Sequence, residues 1–245
     1  MIKLSDISTD APKGLSKEAA KAQTAKWVKK IGERQAILYA QKKYSLLVVL
    51  QGMDASGKDG AIKNVFGECS PTGLSVIGFK KPTDVEFAHD FLWRIHPHAP
   101  AKGMIHIFVR SHYEDVLIQR VHHWIDEPRV DKRIQAINAF EELLAFDNNT
   151  SVLKFYLHIS KDQQKKELQQ RLTEPDKYWK NNADDWKERE LWDDYMRCYE
   201  DVINRSNIPW TVTPVDQRWY RDYVISKTIL EALEKLDLAY PPLSA

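Results

Sequence analysis

The sequence predicts an α/β fold: a mostly parallel sheet of about five strands, covered by helices and carrying a helical lid. Two observations predict it. Short, β-rich apolar runs recur at 45–51 (SLLVVLQ), 74–79 (LSVIGF), 103–109 (GMIHIFV), 152–159 (VLKFYLHI) and 210–215 (WTVTPV), separated by longer polar or helical stretches. Buried parallel strands alternating with helices have this pattern. The first run also leads straight into G-x-x-x-x-G-K at 52–58, a spacing that belongs between a strand and a helix.

Ahead of the first strand, residues 16–43 lack proline, hold only Gly32 among the glycines, and read as a charged helix or helix pair prefacing the core. In the loop after the strand, QGMDASGKDG at 51–60, Gly52 and Gly57 let the backbone curl so that successive N–H groups face an anion. Lys58 reaches the outer phosphates, and the helix starting near it adds its positive end. The phosphate-binding set drawn from this stretch is Gly52, Ala55, Ser56, Gly57, Lys58, Asp59, Gly60 and, one turn on, Lys63. Two acids are out of place in it. Asp59 stands where Ser or Thr would hold a nucleotide's magnesium, and Asp54 lies within the loop. A carboxylate among phosphates is repelled unless a divalent cation lies between them, so Asp54 reads as a metal ligand, as a group orienting an acceptor phosphate, or as a helix cap. Asp59 reads equally as a helix-start residue favoured by the dipole.

The second run is followed by FKKPTD at 79–84 and by HDFLWRIH at 89–96, which reads as helix. Arg94 in it either serves a ligand or pairs on the surface with Glu86 or Asp90. The third run ends in the charged cluster Arg110 to Asp115, at the carboxyl end of a strand, where open α/β sheets bind ligands. Arg110 should face the phosphates. The eight histidines show no spacing that would make a zinc site with carboxylates on one helix. Segment 160–205 is polar and helical yet rich in Trp and Tyr, and reads as a lid opened by the capping pattern Ser160-Lys-Asp-Gln163. Lys161, Lys165 and Lys166 fall in its first turns, where the dipole disfavours cations, and Lys161 and Lys165 share a helical face with Leu168 and Leu172. That spacing points them toward the sheet and an anion; a solvated charge run is the alternative.

With 245 residues, 43% hydrophobic and 29% charged, the chain suits one domain over 1–245. A net charge of +1 gives no basic surface for nucleic acid, so an anion site must be a local cluster. Cys69 and Cys198 form no metal spacing, the N-terminus has no apolar export region, and no run is long enough for a membrane span. A cytoplasmic location is the expectation.

The stretches GMDASGKDG, KKPT, HDFLWRIH, FVRSHYEDVL and HISKDQQKKELQQRL, in this order, resemble the second family of polyphosphate kinases, the polyphosphate:nucleotide phosphotransferases. The likeness runs from about residue 15 to about 235 and includes WKERELWDDYMRCYEDVI and IPWTVTPVDQRWYRDYVIS. It implies a three-layer P-loop kinase fold that moves the terminal phosphoryl group of inorganic polyphosphate to ADP and AMP, reversibly, with Mg2+ or Mn2+. Carried over, Asp54, Lys58, Arg110 and Glu114 are catalytic. Asp54 and Glu114 hold metal, and Arg171 joins Lys161, Lys165 and Lys166 on polyphosphate. Lys80, Lys81, Pro82, Thr83, Asp90 and Arg94 face the acceptor nucleotide. HDFLWRIH and SHYEDVL are most similar to the subgroup accepting both AMP and ADP. The resemblance also implies a homo-oligomer and leaves guanine nucleotides open as acceptors. Val109 departs from the Asp or Asn that relatives often place before the arginine, so Glu114 or Asp115 must supply that oxygen. Two other readings compete: an ATP-dependent nucleoside monophosphate kinase resembling thymidylate kinase, which Asp59 disfavours, and a non-enzymatic P-loop module, which has no need of acids among phosphates.

Overall fold

The structure, a computed structural model, describes residues 1–243. Lys17–Gln41 form one helix, α1, capped by Ser16, whose Oγ accepts from Ala19 N at 3.2 Å. Gly32 does not break it into a pair. A Cβ there would come within 2.4 Å of the Glu68 carbonyl, so the glycine permits close packing in mid-helix. There follow β1 (Ser45–Gln51), α2 (Lys58–Val65), β2 (Leu74–Gly78), α3 (Asp84–Phe87), β3 (Ile105–Val109), α4 (Ile118–Val121), α5 (Glu127–Asp147) and β4 (Thr150–His158). The chain closes with α6 (Lys161–Thr173), α7 (Asp184–Glu190), α8 (Trp192–Arg205), β5 (Trp210–Pro214) and α9 (Arg218–Glu234).

All five strands are parallel, in the order β2-β3-β1-β4-β5. β1 has strands on both edges and helices on its faces, which is why SLLVVLQ has no polar alternation and is buried throughout. The chain reaches β3 on one side of β1 and β4 on the other, so the switch point of the sheet falls at β1. A crevice therefore opens outside its carboxyl end, where the loop at 52–57 lies. α1 and α2 pack on α9, and α5 packs on β4, so that the sheet is covered as an α/β fold requires.

Two strands start elsewhere than the sequence reading places them, and one expected helix is absent. β3 begins only at Ile105, because Gly103 takes the left-handed conformation at φ +92. β4 begins earlier, at Thr150, whose hydroxyl lies 2.8 Å from that of Ser45 on β1. Residues 89–96 are not a helix but a series of turns leading into a 3-10 turn at His96–His98. Asp90 Oδ1 accepts from Leu92 N at 3.0 Å, a local bond that competes with helix, and Pro97 forbids continuation.

Segment 160–205 is helical in pieces. Ser160 caps α6 by accepting from Gln163 N at 3.1 Å. α6, a 3-10 turn at Pro175–Lys180 and α7 bury little, whereas α8 drives Trp192, Tyr195, Cys198, Tyr199, Val202 and Ile203 into the core.

Candidate active site

The loop after β1 is shaped by its backbone and by α9. Ala55 and Gly57 take positive φ, +64 and +90, which turns the chain sharply into α2. Arg218 donates to Ser56 O at 2.5 Å and to Ala55 O at 2.8 Å, and Arg221 donates to Gly57 O at 2.8 Å. A Cβ on residue 57 would lie 2.5 Å from Arg221 Nη1, so glycine is required there. With carbonyls turned to the arginines, the peptide units aim the following N–H groups the opposite way, alongside the unpaired donors of α2's first turn. Lys58, largely buried, donates to Gly52 O at 2.8 Å and Met53 O at 3.2 Å, tying the loop's start to its end.

Asp54 pairs with Arg110 Nη2 at 2.5 Å. The cap of α2 is Gly57, without a side-chain bond, so Asp54 is not a helix cap. Burial works against ionising Asp54, but the charges of Arg110 and Lys58 outweigh it and hold the carboxyl below its ordinary range. Glu114, on the 3-10 turn His112–Asp115, is pushed upward by burial and by Asp54, with Arg110 and Lys58 offsetting part of the rise. The two carboxyls, at the ends of adjacent strands, thus differ in proton affinity: burial opposes ionisation of both and Arg110 favours it in both, but only Asp54 also takes a hydrogen bond from the arginine, and at Glu114 burial prevails. Arg110 itself has φ +62, unusual for a residue with a side chain.

Three hollows meet at Arg110. A cleft of about 530 Å³ runs over the loop, lined by Lys58, Arg110, Arg171, Lys177, Lys180, Arg218 and Arg221 against Asp54, Asp59 and Glu167. A mostly apolar pocket of about 130 Å³ is walled by Phe79, Pro82, Phe87, Ile118 and Trp124, with Lys80, Lys81, Arg94 and Glu114 at its polar end. Between them, a hollow of about 300 Å³ brings Asp54, Arg110 and Glu114 near Lys81, Asp184, Asp185, Glu188 and Tyr195. By charge the first suits an anion and by its apolar walls the second suits a planar ring, while the third sets five carboxylates, Asp54, Glu114, Asp184, Asp185 and Glu188, against Lys81 and Arg110.

Among the described residues, no three His, Cys, Asp or Glu side chains converge on a preformed metal site. Magnesium does not need one. It keeps several waters and uses one or two carboxylates plus substrate phosphates, a demand that Asp54 and Glu114 fit as hard oxygen donors on one hollow. Asp115 does not fit: it is buried under Arg94 at 3.2 Å and Gln119 at 2.6 Å.

The structure corrects several placements. Arg94 pairs with neither Glu86 nor Asp90; it is buried and bound to Asp115 and to Lys80 O at 2.8 Å. Thr83 and Asp90 are local caps, Thr83 in a reciprocal capping box with Glu86, and line none of these hollows. Lys161, Lys165 and Lys166 do not point at the sheet. The inward face of α6 is Gln164 and Leu168, while the three lysines and Leu172 are exposed and outside the cleft. Lys63 is likewise exposed at the far end of α2. Asp59 is exposed and pairs with Lys180 at 3.2 Å. Arg171 does line the cleft, oriented by a short ion pair to Asp185. Sequence reasoning missed Lys177, Lys180, Arg218 and Arg221. A signal existed for the last two: they begin a helix after a strand, with no acid in the first turn, the same anomaly that drew attention to α6.

The family model for Polyphosphate kinase 2 (PPK2) matches residues 14–240. The chain is 44% identical over 228 residues to the AMP/ADP-polyphosphate phosphotransferase of Meiothermus ruber, covering 92% of this chain and 85% of that protein. It is 38% identical over 229 residues to the ADP-polyphosphate phosphotransferase of Rhodopseudomonas palustris, covering 87% and 79% respectively. Its fold superposes on the crystal structure of polyphosphate kinase 2 from Arthrobacter aurescens TC1 with a TM-score of 0.95 at 39% identity, over 100% of this chain and 89% of that one.

Proposed function

The chain belongs to the polyphosphate kinase 2 family, and from that premise we propose how its own residues divide the work of a polyphosphate-dependent nucleotide kinase. The observation that carries this reading is the Asp54–Arg110 pair, which stands where the basic cleft meets the apolar acceptor pocket. Polyphosphate lies in the cleft against Arg171, Lys177, Lys180 and Arg218, while Arg221, buried and paired with Asp222 at 2.6 Å, supports the loop beneath it. The nucleotide enters from the other side, its base between Phe87 and Trp124 and its phosphate toward Lys81 and Arg94. A terminal oxygen of the AMP or ADP phosphate attacks the terminal phosphorus of the chain; that P–O bond forms as the bond to the next chain phosphate breaks, leaving a polyphosphate one unit shorter.

Such transfer passes through a loose transition state with charge spread over the equatorial oxygens, so the protein acts by positioning and neutralisation. Lys58 and the N–H groups of α2 hold the transferring group, Arg110 bridges donor and acceptor, and Asp54 and Glu114 fix the approach. When bound at Asp54 and Glu114, Mg2+ or Mn2+ supplies positive charge between the two polyanions. AMP as well as ADP, guanine nucleotides as further acceptors, a cytoplasmic setting and a homo-oligomer complete the proposal. No helix among the described residues is long and apolar enough to cross a membrane. Exposed Val76 on edge strand β2, with exposed Val85 and Trp93 in the segment that follows it, supports self-association.

The test is direct: pure protein with magnesium, polyphosphate or ATP as donor, and AMP, ADP, GMP or GDP as acceptor, with products resolved by ion-exchange chromatography. Polyphosphate should convert ADP to ATP and AMP to ADP. Faster phosphorylation of AMP by ATP than by polyphosphate would overturn the division of the two pockets.

A further inference from the structure

Beneath the turn that carries Glu114 lies a charged pair fully excluded from solvent. Lys154, at the middle of β4, donates to Glu141 Oε2 of α5 at 2.6 Å, and both side chains are 0% exposed. Lys154 also donates to Tyr113 OH at 2.7 Å, and Tyr113 OH donates to Glu141 Oε1 at 2.9 Å. His112 Nε2 lies 3.2 Å from the same Oε1. A carboxylate only accepts, so His112 carries its proton on Nε2. Burial opposes ionising Glu141, but the bond from His112 and the charge of Lys154 prevail and keep its carboxyl below the ordinary range. Its neighbours along the strand, Leu153 and Phe155, are apolar, and an apolar pair of equal volume would serve stability as well or better. The placement of this pair therefore asks for another reason.

The reason lies in the turn. A four-residue 3-10 turn is weak by itself, and Arg110 just before it sits in a left-handed conformation that persists only where the surroundings over-determine it. His112 and Tyr113 both reach down to one oxygen of Glu141, and Ser111 accepts from Gln51 Nε2 at 3.0 Å at the end of β1. With these side chains fixed downward, Glu114 and Arg110 are left facing the hollow where the chemistry is placed. We propose that Glu141, with Lys154 as its counter-charge, is a positioning residue for the reaction, clamping His112 and Tyr113 so that Arg110 and Glu114 meet the reacting phosphates. This inference rests on the site assigned above.

Two double variants of nearly equal volume separate the role from simple packing. Glu141→Leu with Lys154→Met removes both charges and the acceptor; Glu141→Gln with Lys154→Met removes both charges but retains an oxygen for His112 and Tyr113. Relative to wild type, kcat should fall by about tenfold to a hundredfold in the first, with KM for long polyphosphate unchanged, and most of the loss should be recovered in the second. Equal kcat in the two double variants, or a loss in KM alone, overturns the clamp. Should the leucine variant not fold, Tyr113→Phe keeps the question open to decision, because it deletes one hydroxyl from a ring that still packs on Trp210 at 4.8 Å. A several-fold lower kcat with unchanged KM supports the clamp; a wild-type kcat overturns it. Arg110→Ala serves as control for the site itself: undiminished activity in that variant dismisses the site assignment, separately from the clamp.

Discussion

Lys58 and Asp54 occupy one loop but hold it differently, and substitution should reveal the difference. Lys58 fastens the loop's start through the carbonyls of Gly52 and Met53, whereas Asp54 touches the rest of the site through Arg110. In the proposed division of roles each acts on developing phosphate charge, so Lys58→Ala and Asp54→Ala should each lower kcat by on the order of a hundredfold. Thermal unfolding should be lowered in Lys58→Ala and little changed in Asp54→Ala; a near-normal kcat in Asp54→Ala would remove it from the chemistry. The cysteines offer a test of burial. Burial, aided by the charge of Glu68, pushes the Cys69 thiol up to about 12, and burial also raises Cys198. Only the thiolate attacks an alkylating reagent, and a raised pKa leaves little thiolate at any pH below it. Native protein at pH 8 should therefore take up almost no iodoacetamide, and denatured protein two equivalents, as counted by mass spectrometry.

At the scale of elements, the outer helices divide into a face over the cleft and a solvated one. The 3-10 turn Pro175–Lys180 brings Lys177 and Lys180 over the cleft, joined by Arg171 from α6, while Lys161, Lys165 and Lys166 look outward. Cations that contact a polyanion release its counterions and make affinity fall with salt, whereas exposed cations beyond contact are screened. Lys177→Ala with Lys180→Ala should raise KM for long polyphosphate several-fold and flatten its dependence on ionic strength. The triple alanine variant at 161, 165 and 166 should change both much less. KM against salt for a long and a short chain distinguishes them, and the reverse ranking would return the working face to α6.

For the whole molecule, the basic cleft and the apolar pocket meet at Arg110, and both are built from segments distant in sequence: the loop after β1, the end of β3, the outer helices and the start of α9 for the cleft, and residues 79–94, 110–119 and 124 for the pocket. A ligand that joins such segments stabilises the native state by mass action, about 2.7 kcal/mol at a hundredfold excess over Kd. For a chain of this size that corresponds to a rise in Tm of about 5–10 °C. Long polyphosphate and ADP with magnesium, each at saturation, should give shifts of this order by scanning fluorimetry, and each should shrink in Arg110→Ala. The parallel sheet, the glycine-turned loop after β1 and the positions of Lys58 and Arg110 beside the cleft were legible in the chain because each is a local matter: apolar runs between helical stretches, two glycines at fixed spacing, a charge at a strand's end. Arg218 and Arg221 lie some 160 residues from the carbonyls they hold, with |i−j| of 162 and 164, and only the packing of α9 brings them there. Helical periodicity placed Lys161 and Lys165 on one stripe with Leu168, but which stripe turns inward is decided by what it meets. Gln164 donates to Asp54 O at 3.1 Å and wins that face for itself. The sequence by itself determined the strands and the glycine loop after β1, since backbone geometry and apolar patterning act over a few residues; the cationic cleft and the buried Glu141–Lys154 pair under Glu114 were decided by tertiary structure, because charge–charge and hydrogen-bond partners are chosen by proximity in space.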